Sequence, residues 1–216
     1  MKALIFAAGK GERMRPLTDS RPKALLEVRG VPLIGWHLRA LRAAGIVDVV
    51  INTGYLGEQL PATLGDGSSF GVRIEWSHEP CEPLETGGGM RQALAFLGDA
   101  PFIAVNADIH TDYDYARLPR FPSGLAHLVL VDNPPQHPRG DFVLRQGTCH
   151  LCGPERLTFS GIGVYRPELV AHYPHGRYGL APILREAIDF GRVTGEHYRG
   201  AWSDVGTPER LAQLNP

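Results

Sequence analysis

The chain has 216 residues, 43% of them hydrophobic and 21% charged, with 22 basic against 23 acidic side chains and a formal net charge of −1. This is an ordinary composition for a soluble globular domain, with length for one sizeable core and a single α/β domain as the default, and it argues against a nucleic-acid or anionic-membrane binder, whose surface would be broadly basic. No apolar run approaches the roughly 20 residues of a membrane helix, and the N-terminus shows no secretory signal, so the expected location is the cytoplasm.

Lys2–Ala7 reads as a buried strand, and Gly9-Lys10-Gly11 as a turn where backbone N–H groups come close to a ligand. Around that turn charge is uneven. Residues 1–23 carry six basic side chains (Lys2, Lys10, Arg13, Arg15, Arg21, Lys23) against two acidic ones (Glu12, Asp19), while the remainder carries 16 basic against 21 acidic. The pattern suits a small, highly charged anion such as a nucleoside triphosphate. Pro32–Ala44 is predicted helical, with Leu33, Ile34, Leu38, Leu41 and Ala44 at helical spacing and Gly45 as its stop. Val47–Asn52 is a strand, Gly57–Leu64 a helix and Arg73–Ser77 a further strand. Gly87–Gly89 opens a helix running to Leu97. The continuous apolar run Pro101–Val105 reads as a strand buried on both faces, ending in Asn106-Ala107-Asp108.

Beyond this βαβα region the alternation loosens. Strands are expected at Ala126–Asp132, Phe142–Gln146 and Leu157–Tyr165, a helix over Leu180–Phe190, a strand over Trp202–Val205, and a last helix starting at Thr207-Pro208-Glu209. Cys81, Cys149 and Cys152 are too few and too odd for a disulfide framework. Cys149-His150-Leu151-Cys152 supplies too few ligands for structural zinc and has the wrong order for haem attachment, which leaves a plain hairpin. With no repeat, linker or low-complexity tract, residues 1–216 read as one domain.

The glycine turn is not a standard phosphate loop. Met14 stands where G-x-G-x-x-G requires its third glycine, Val47–Asn52 ends without the ribose-binding carboxylate of a dinucleotide site, and no G-K-[ST] follows. The whole string, Ala7-Ala8-Gly9-Lys10-Gly11-Glu12-Arg13-Met14-Arg15-Pro16-Leu17-Thr18 with Pro22-Lys23, resembles instead the signature of the sugar-1-phosphate nucleotidyltransferases. Further matches are Glu82–Gly89, Asn106-Ala107-Asp108 and Trp202-Ser203-Asp204-Val205-Gly206-Thr207. The resemblance implies a Rossmann-like three-layer α/β fold with a mostly parallel central sheet and a smaller mixed β section in the second half. Residues 1–115 would mainly bind nucleotide, and residues 116–216 mainly bind sugar and complete the metal site.

By the same resemblance, Ala8, Gly9, Lys10, Gly11, Glu12, Arg13 and Lys23 meet the triphosphate, Thr86, Gly87 and Gly88 the base, and Asn106 the nucleotide. Asp108 and Asp204 hold Mg²⁺. Arg15, with Arg13, grips the departing β/γ-phosphates, and Lys23 serves the α-phosphate; Arg15, Lys23, Asp108 and Asp204 are the expected catalytic set. Gly140, Asp141, Ser160 and Arg199 are placed at the sugar, Ser160 being equally readable as a satisfied strand serine. Two departures stand out: Ala107 replaces a glycine common before the aspartate, and no lysine follows Lys23, so the acceptor phosphate needs an arginine, with Arg139, Arg177 and Arg199 as candidates.

The segments Leu84–Gly89, Thr111–Asp114, Leu128–Pro134, Gly195–Gly200 and Asp204–Thr207 are most similar to the short uridylyltransferases of bacterial cell-wall sugar recycling. That similarity implies UTP and N-acetylmuramate α-1-phosphate as substrates and a monomer or weak homodimer. The alternatives are thymidylyl or uridylyl transfer to glucose 1-phosphate, guanylyl transfer to mannose 1-phosphate, cytidylyl transfer to a phospho-alcohol, and a sugar-nucleotide-binding regulatory domain without turnover.

Overall fold

The computed structural model describes residues 1–80 and 82–215; Cys81 lies outside the described residues. The chain opens with β1 (Ala3–Phe6), the glycine turn, a two-residue-per-arm hairpin of β2 (Glu27–Val28) and β3 (Val31–Pro32), and helix α1 (Leu33–Ala43). It continues through β4 (Asp48–Thr53), α2 (Gln59–Leu64), β5 (Arg73–His78), α3 (Glu85–Leu97), β6 (Phe102–Asn106) and β7 (Ile109–Thr111). The second half holds β8 (Ala126–Val131), β9 (Phe142–Arg145), β10 (Thr148–His150), β11 (Arg156–Tyr165), α4 (Leu180–Asp189), β12 (Val193–Tyr198), β13 (Trp202–Asp204) and α5 (Pro208–Gln213).

Nine strands form one sheet in the order β5-β4-β1-β6-β11-β8-β12-β10-β9. The first four run parallel, as the βαβ connections require. From β6 onward the pairing is mixed: β11 is antiparallel to both β6 and β8, β12 is parallel to β8, and β10 and β9 close the edge antiparallel. The mixed section therefore continues the parallel sheet rather than forming a separate one.

Side-chain alternation along the strands sorts the core into two layers. Ala3, Ile5, Val49, Ile51, Ile103 and Val105 pack with Ile34, Leu38 and Leu41 of α1 and Leu60 and Leu64 of α2 on one face. Leu4, Val50, Phe102 and Ala104 face the other way, against Met90, Ala93 and Leu97 of α3 and Ile183 and Leu184 of α4. A sheet covered on both faces gives the continuous apolar strands seen in the sequence.

Several elements differ from the sequence pattern. α3 begins at Glu85, two residues before the glycines, and α2 at Gln59. β12 (Val-Thr-Gly-Glu-His-Tyr) has no apolar periodicity; its ladders with β8 and β10 make it a strand, and a Cβ on Gly195 would lie 2.9 Å from both Cys149 Sγ and the Leu128 carbonyl. β9 and β10 form a hairpin across Gln146-Gly147, both at positive φ (48° and 76°), the signature of a tight two-residue turn. Cys149 is buried there, its thiol pushed up to about 12 by burial.

One polar side chain sits deep in the α1 layer. His37 is buried, with Nδ1 2.8 Å from the Tyr115 hydroxyl and Nε2 2.9 Å from the Ile109 carbonyl. A carbonyl only accepts, so Nε2 carries the proton and Nδ1 accepts from Tyr115. Burial lowers the imidazole pKa to about 4, whereas in the unfolded chain it titrates near the ordinary histidine value of 6.5. Between those values the unfolded state binds a proton that the folded state does not, so stability falls as pH falls through this window, by up to about 1.4 kcal/mol per pH unit from this group. Urea unfolding at a series of pH values between 4 and 6.5 should show a shallower pH slope for His37→Gln than for wild type; parallel slopes would refute this assignment.

Candidate active site

Parallel register brings the carboxyl ends of three strands together: Phe6 of β1 lies beside Asn52 of β4 and Asn106 of β6. These residues floor a cavity of about 690 Å³, at the place where open parallel sheets bind ligands. Its walls include residues Phe6–Met14, Lys23, Glu79, Glu85, Thr86 and Asp108.

Asn52 ties the floor to the wall. Its Oδ1 accepts the Ala7 amide at 2.6 Å, and its Nδ2 donates to Glu79 Oε1 at 2.6 Å. Glu79 Oε2 in turn accepts the Leu84 amide at 2.7 Å, so this carboxylate positions the segment before α3. Desolvation raises its pKa, against those two hydrogen bonds. Neither residue stands out in the sequence beyond the missing carboxylate at the end of β4.

The glycine turn is held from beneath. Gly11, at φ 62°, is followed by a 3₁₀ turn over Glu12–Met14, and its carbonyl accepts from the Met14 amide at 2.8 Å and the Thr18 hydroxyl at 2.9 Å. Met14 is fully buried with Leu26, Val28, Leu33 and Val205. A third glycine would remove this anchor, which accounts for the methionine. Ala8, Gly9, Lys10, Gly11, Glu12 and Arg13 all line the cavity, and Lys10 and Arg13 form no ion pair among the described residues. Arg15, expected with Arg13 at the departing phosphates, does not line the cavity; its Nε pairs with Asp19 Oδ1 at 3.2 Å on the exposed side of the loop. With Met14 turned into the core, it is Arg13 that lies on the cavity side.

Lys23 and Asp108 meet inside the cavity, Nζ to Oδ2 at 2.5 Å, with the lysine side chain 12% exposed. Asp204 comes alongside through the β7–β13 ladder, in which it pairs with Ile109, and through the Val205 amide bonded to the Asp108 carbonyl at 2.8 Å. Asp204 does not itself line the cavity, although Gly206 does; its carboxylate pairs with Arg210 and accepts from Gln136 Nε2 at 2.5 Å. Two carboxylates on adjoining backbone segments offer hard oxygen donors of the kind a divalent cation takes.

Thr86 at the start of α3 lines the cavity, as does Asn106 at the end of β6, but Gly87 and Gly88 do not. Both glycine amides donate to the Tyr178 carbonyl at 3.0 Å. A Cβ on Gly88 would lie 2.0 Å from the Gly176 carbonyl, and one on Gly87 2.6 Å from the Tyr178 ring. These glycines admit the close approach of the 176–179 segment. Glu85, at φ 61°, turns into the cavity wall, and Arg177 joins it there, 3.2 Å from Glu85 and 3.8 Å from Glu82.

A second cavity of about 200 Å³ shares Phe6, Thr86 and Asn106 with the first and is otherwise lined by Asp141, Phe142, Phe159, Gly161, Tyr165 and α4. Asp141 is fixed in it by the Phe159 amide (2.8 Å) and His137 (3.1 Å). The other residues expected at a sugar are not in this wall. Gly140 serves the preceding turn at φ 58°, where a Cβ would lie 2.7 Å from Asn133 Oδ1. Ser160 is buried and its hydroxyl accepts the Ile162 amide at 3.1 Å across the bulge in β11, which favours the strand-serine reading. Arg199 and Arg139 are exposed and line neither cavity.

The nucleotidyl transferase family matches residues 2–142. The chain is 50% identical over 222 residues to the N-acetylmuramate alpha-1-phosphate uridylyltransferase of Neisseria meningitidis serogroup B, covering 99% of this chain and 96% of that protein. It is 34% identical over 223 residues to the enzyme of the same name from Caulobacter vibrioides, covering 96% and 92%. A solved structure from Bacillus anthracis, assigned as a glucose-1-phosphate thymidylyltransferase in complex with a sucrose, shares the fold with a TM-score of 0.85 at 21% identity, over 100% of this chain and 94% of that one. With a basic glycine loop at the carboxyl ends of a parallel sheet and near-full-length identity to such enzymes, the chain belongs to the nucleotidyl transferase family, as a sugar-1-phosphate nucleotidyltransferase.

Proposed function

We propose that the protein transfers a uridylyl group from UTP to N-acetylmuramate α-1-phosphate, giving UDP-N-acetylmuramate and pyrophosphate in the cytoplasm. The cluster of Lys10, Arg13 and Lys23 around the glycine turn, facing Asp108 within one cavity, carries the reaction class. The identity of both substrates rests on the relative with 50% identity over almost the whole length.

In the reaction the sugar-phosphate oxygen attacks the α-phosphorus of UTP in line; a P–O bond forms as the bond to the β-phosphate oxygen breaks, and pyrophosphate leaves. No covalent enzyme intermediate is needed, so positioning and charge neutralisation supply the acceleration. Arg13 and Lys10 would hold the departing β- and γ-phosphates, Arg13 through its planar fork. Lys23 serves the α-phosphate as a point charge beside Asp108. Asp108 and Asp204 would hold Mg²⁺, which when bound neutralises charge on the phosphate oxygens. The segment Glu79–Thr86 covers the base, and the second cavity, with Asp141, takes the sugar, so nucleotide recognition falls mainly to residues 1–115 and acceptor recognition to 116–216. Of the three arginines that could replace the missing second lysine, Arg177 is the one in the cavity wall, and it is assigned the acceptor phosphate.

Pyrophosphate release measured across a matrix of UTP, dTTP, GTP and CTP against N-acetylmuramate, glucose and mannose 1-phosphates should be highest with UTP and N-acetylmuramate α-1-phosphate; no turnover with any pair would leave a binding domain. Asp108→Asn and Lys23→Ala should each lose on the order of 10²–10³ in kcat. Arg13→Ala should cost far more rate than Arg15→Ala, and the reverse order would return the phosphate grip to Arg15.

A further inference from the structure

Each carboxylate named for the metal is paired with a cation of the protein itself. Asp108 Oδ2 pairs with Lys23, and Asp204 Oδ2 pairs with Arg210, a side chain 15% exposed. Asp204 Oδ1 accepts from Gln136. Asp108 Oδ2 and Asp204 Oδ1 thus each accept a hydrogen bond, Asp204 Oδ2 is in ion-pair contact with Arg210 without a directed hydrogen bond, and among the described residues Asp108 Oδ1 has no protein donor. Each aspartate faces a largely buried cation, so the two pairs carry no net charge with which to attract a free divalent ion. Arg210 is fixed in this position from behind: α5 packs Leu211 and, just past its end, Leu214 against the Met14 cluster, and Gly206 leaves room for the guanidinium to reach Asp204.

We propose that Arg210 and Lys23 are built-in counter-cations that keep the divalent cation out of the empty enzyme, so that it is retained only together with the triphosphate. The proposal rests on the uridylyl-transfer reading above. A triphosphate reverses the balance: its oxygens attract Lys23 away from Asp108, with Lys10 and Arg13 already on that side of the cavity, and supply ligands of their own. Arg210 lies off the cavity wall and is assigned no contact with substrate; it acts on Asp204 and is a positioning residue.

The test uses Mn²⁺ as the probe, with free Mn²⁺ read by electron paramagnetic resonance in the presence of the full chain. Without nucleotide, wild type should bind Mn²⁺ weakly, and Arg210→Gln should bind it about tenfold more tightly or better, because a unit positive charge a few ångströms away has been removed. Arg210→Lys should stay near wild type. Gln136→Ala, at an exposed loop position, should shift in the same direction as Arg210→Gln by a smaller factor, and carries the test if Arg210→Gln fails to fold. Adding α,β-methylene-UTP should tighten Mn²⁺ binding in wild type. Equal Mn²⁺ affinity in wild type with and without the bound analogue, or no gain in either variant, would overturn the proposal. Failure of the analogue to bind, measured separately by calorimetry, would instead overturn the UTP reading.

Discussion

The end of β1 is pinned from both sides, and the active site is built outward from that point. The Phe6 carbonyl accepts the Ala107 amide at 3.0 Å, and the Ala7 amide, past the last ladder bond, donates to the buried Asn52 side chain. An N–H left unpaired there would carry a penalty of about 1–3 kcal/mol, so the amide side chain at the end of β4 is a requirement of the backbone. Because Asn52 also holds Glu79, the same side chain sets the distance between the glycine turn and the segment facing it. Carboxylate, amide and turn form one rigid frame into which the basic side chains are hung.

Charge is distributed within that frame by sign. The glycine loop contributes Lys10 and Arg13 and the following segment Lys23, whereas the facing wall contributes Glu79, Glu82 and Glu85. Arg177 ties the acidic side to itself by pairing with two of these glutamates. A polyanion entering such a cavity is oriented before it makes any hydrogen bond, since Lys10, Arg13 and Lys23 outnumber Glu12 and Asp108 at one end while glutamates line the other.

Much of this was legible in the chain's first hundred residues, where strands buried on both faces show as apolar runs and helices as clean periodicity. The second half was harder because β12 owes its conformation to its neighbours, with Gly195 fitting between the Leu128 carbonyl and Cys149. In the site, Lys23 and Asp108 could be expected as partners in function, and they do meet. Arg13 and Arg15 could not be told apart from spacing alone; the burial of Met14 between them decides which faces the cavity. Gly87 and Gly88 show the same limit from the other side: a glycine run signals close approach, but not whether the approaching group is a ligand or the protein's own backbone.

The two cavities share Phe6, Thr86 and Asn106. Thr86 also accepts the Leu180 amide, fastening α3 to the start of α4. The partition is therefore a common wall: a substitution at Phe6, Thr86 or Asn106 alters both cavities at once, and neither can be reshaped there alone.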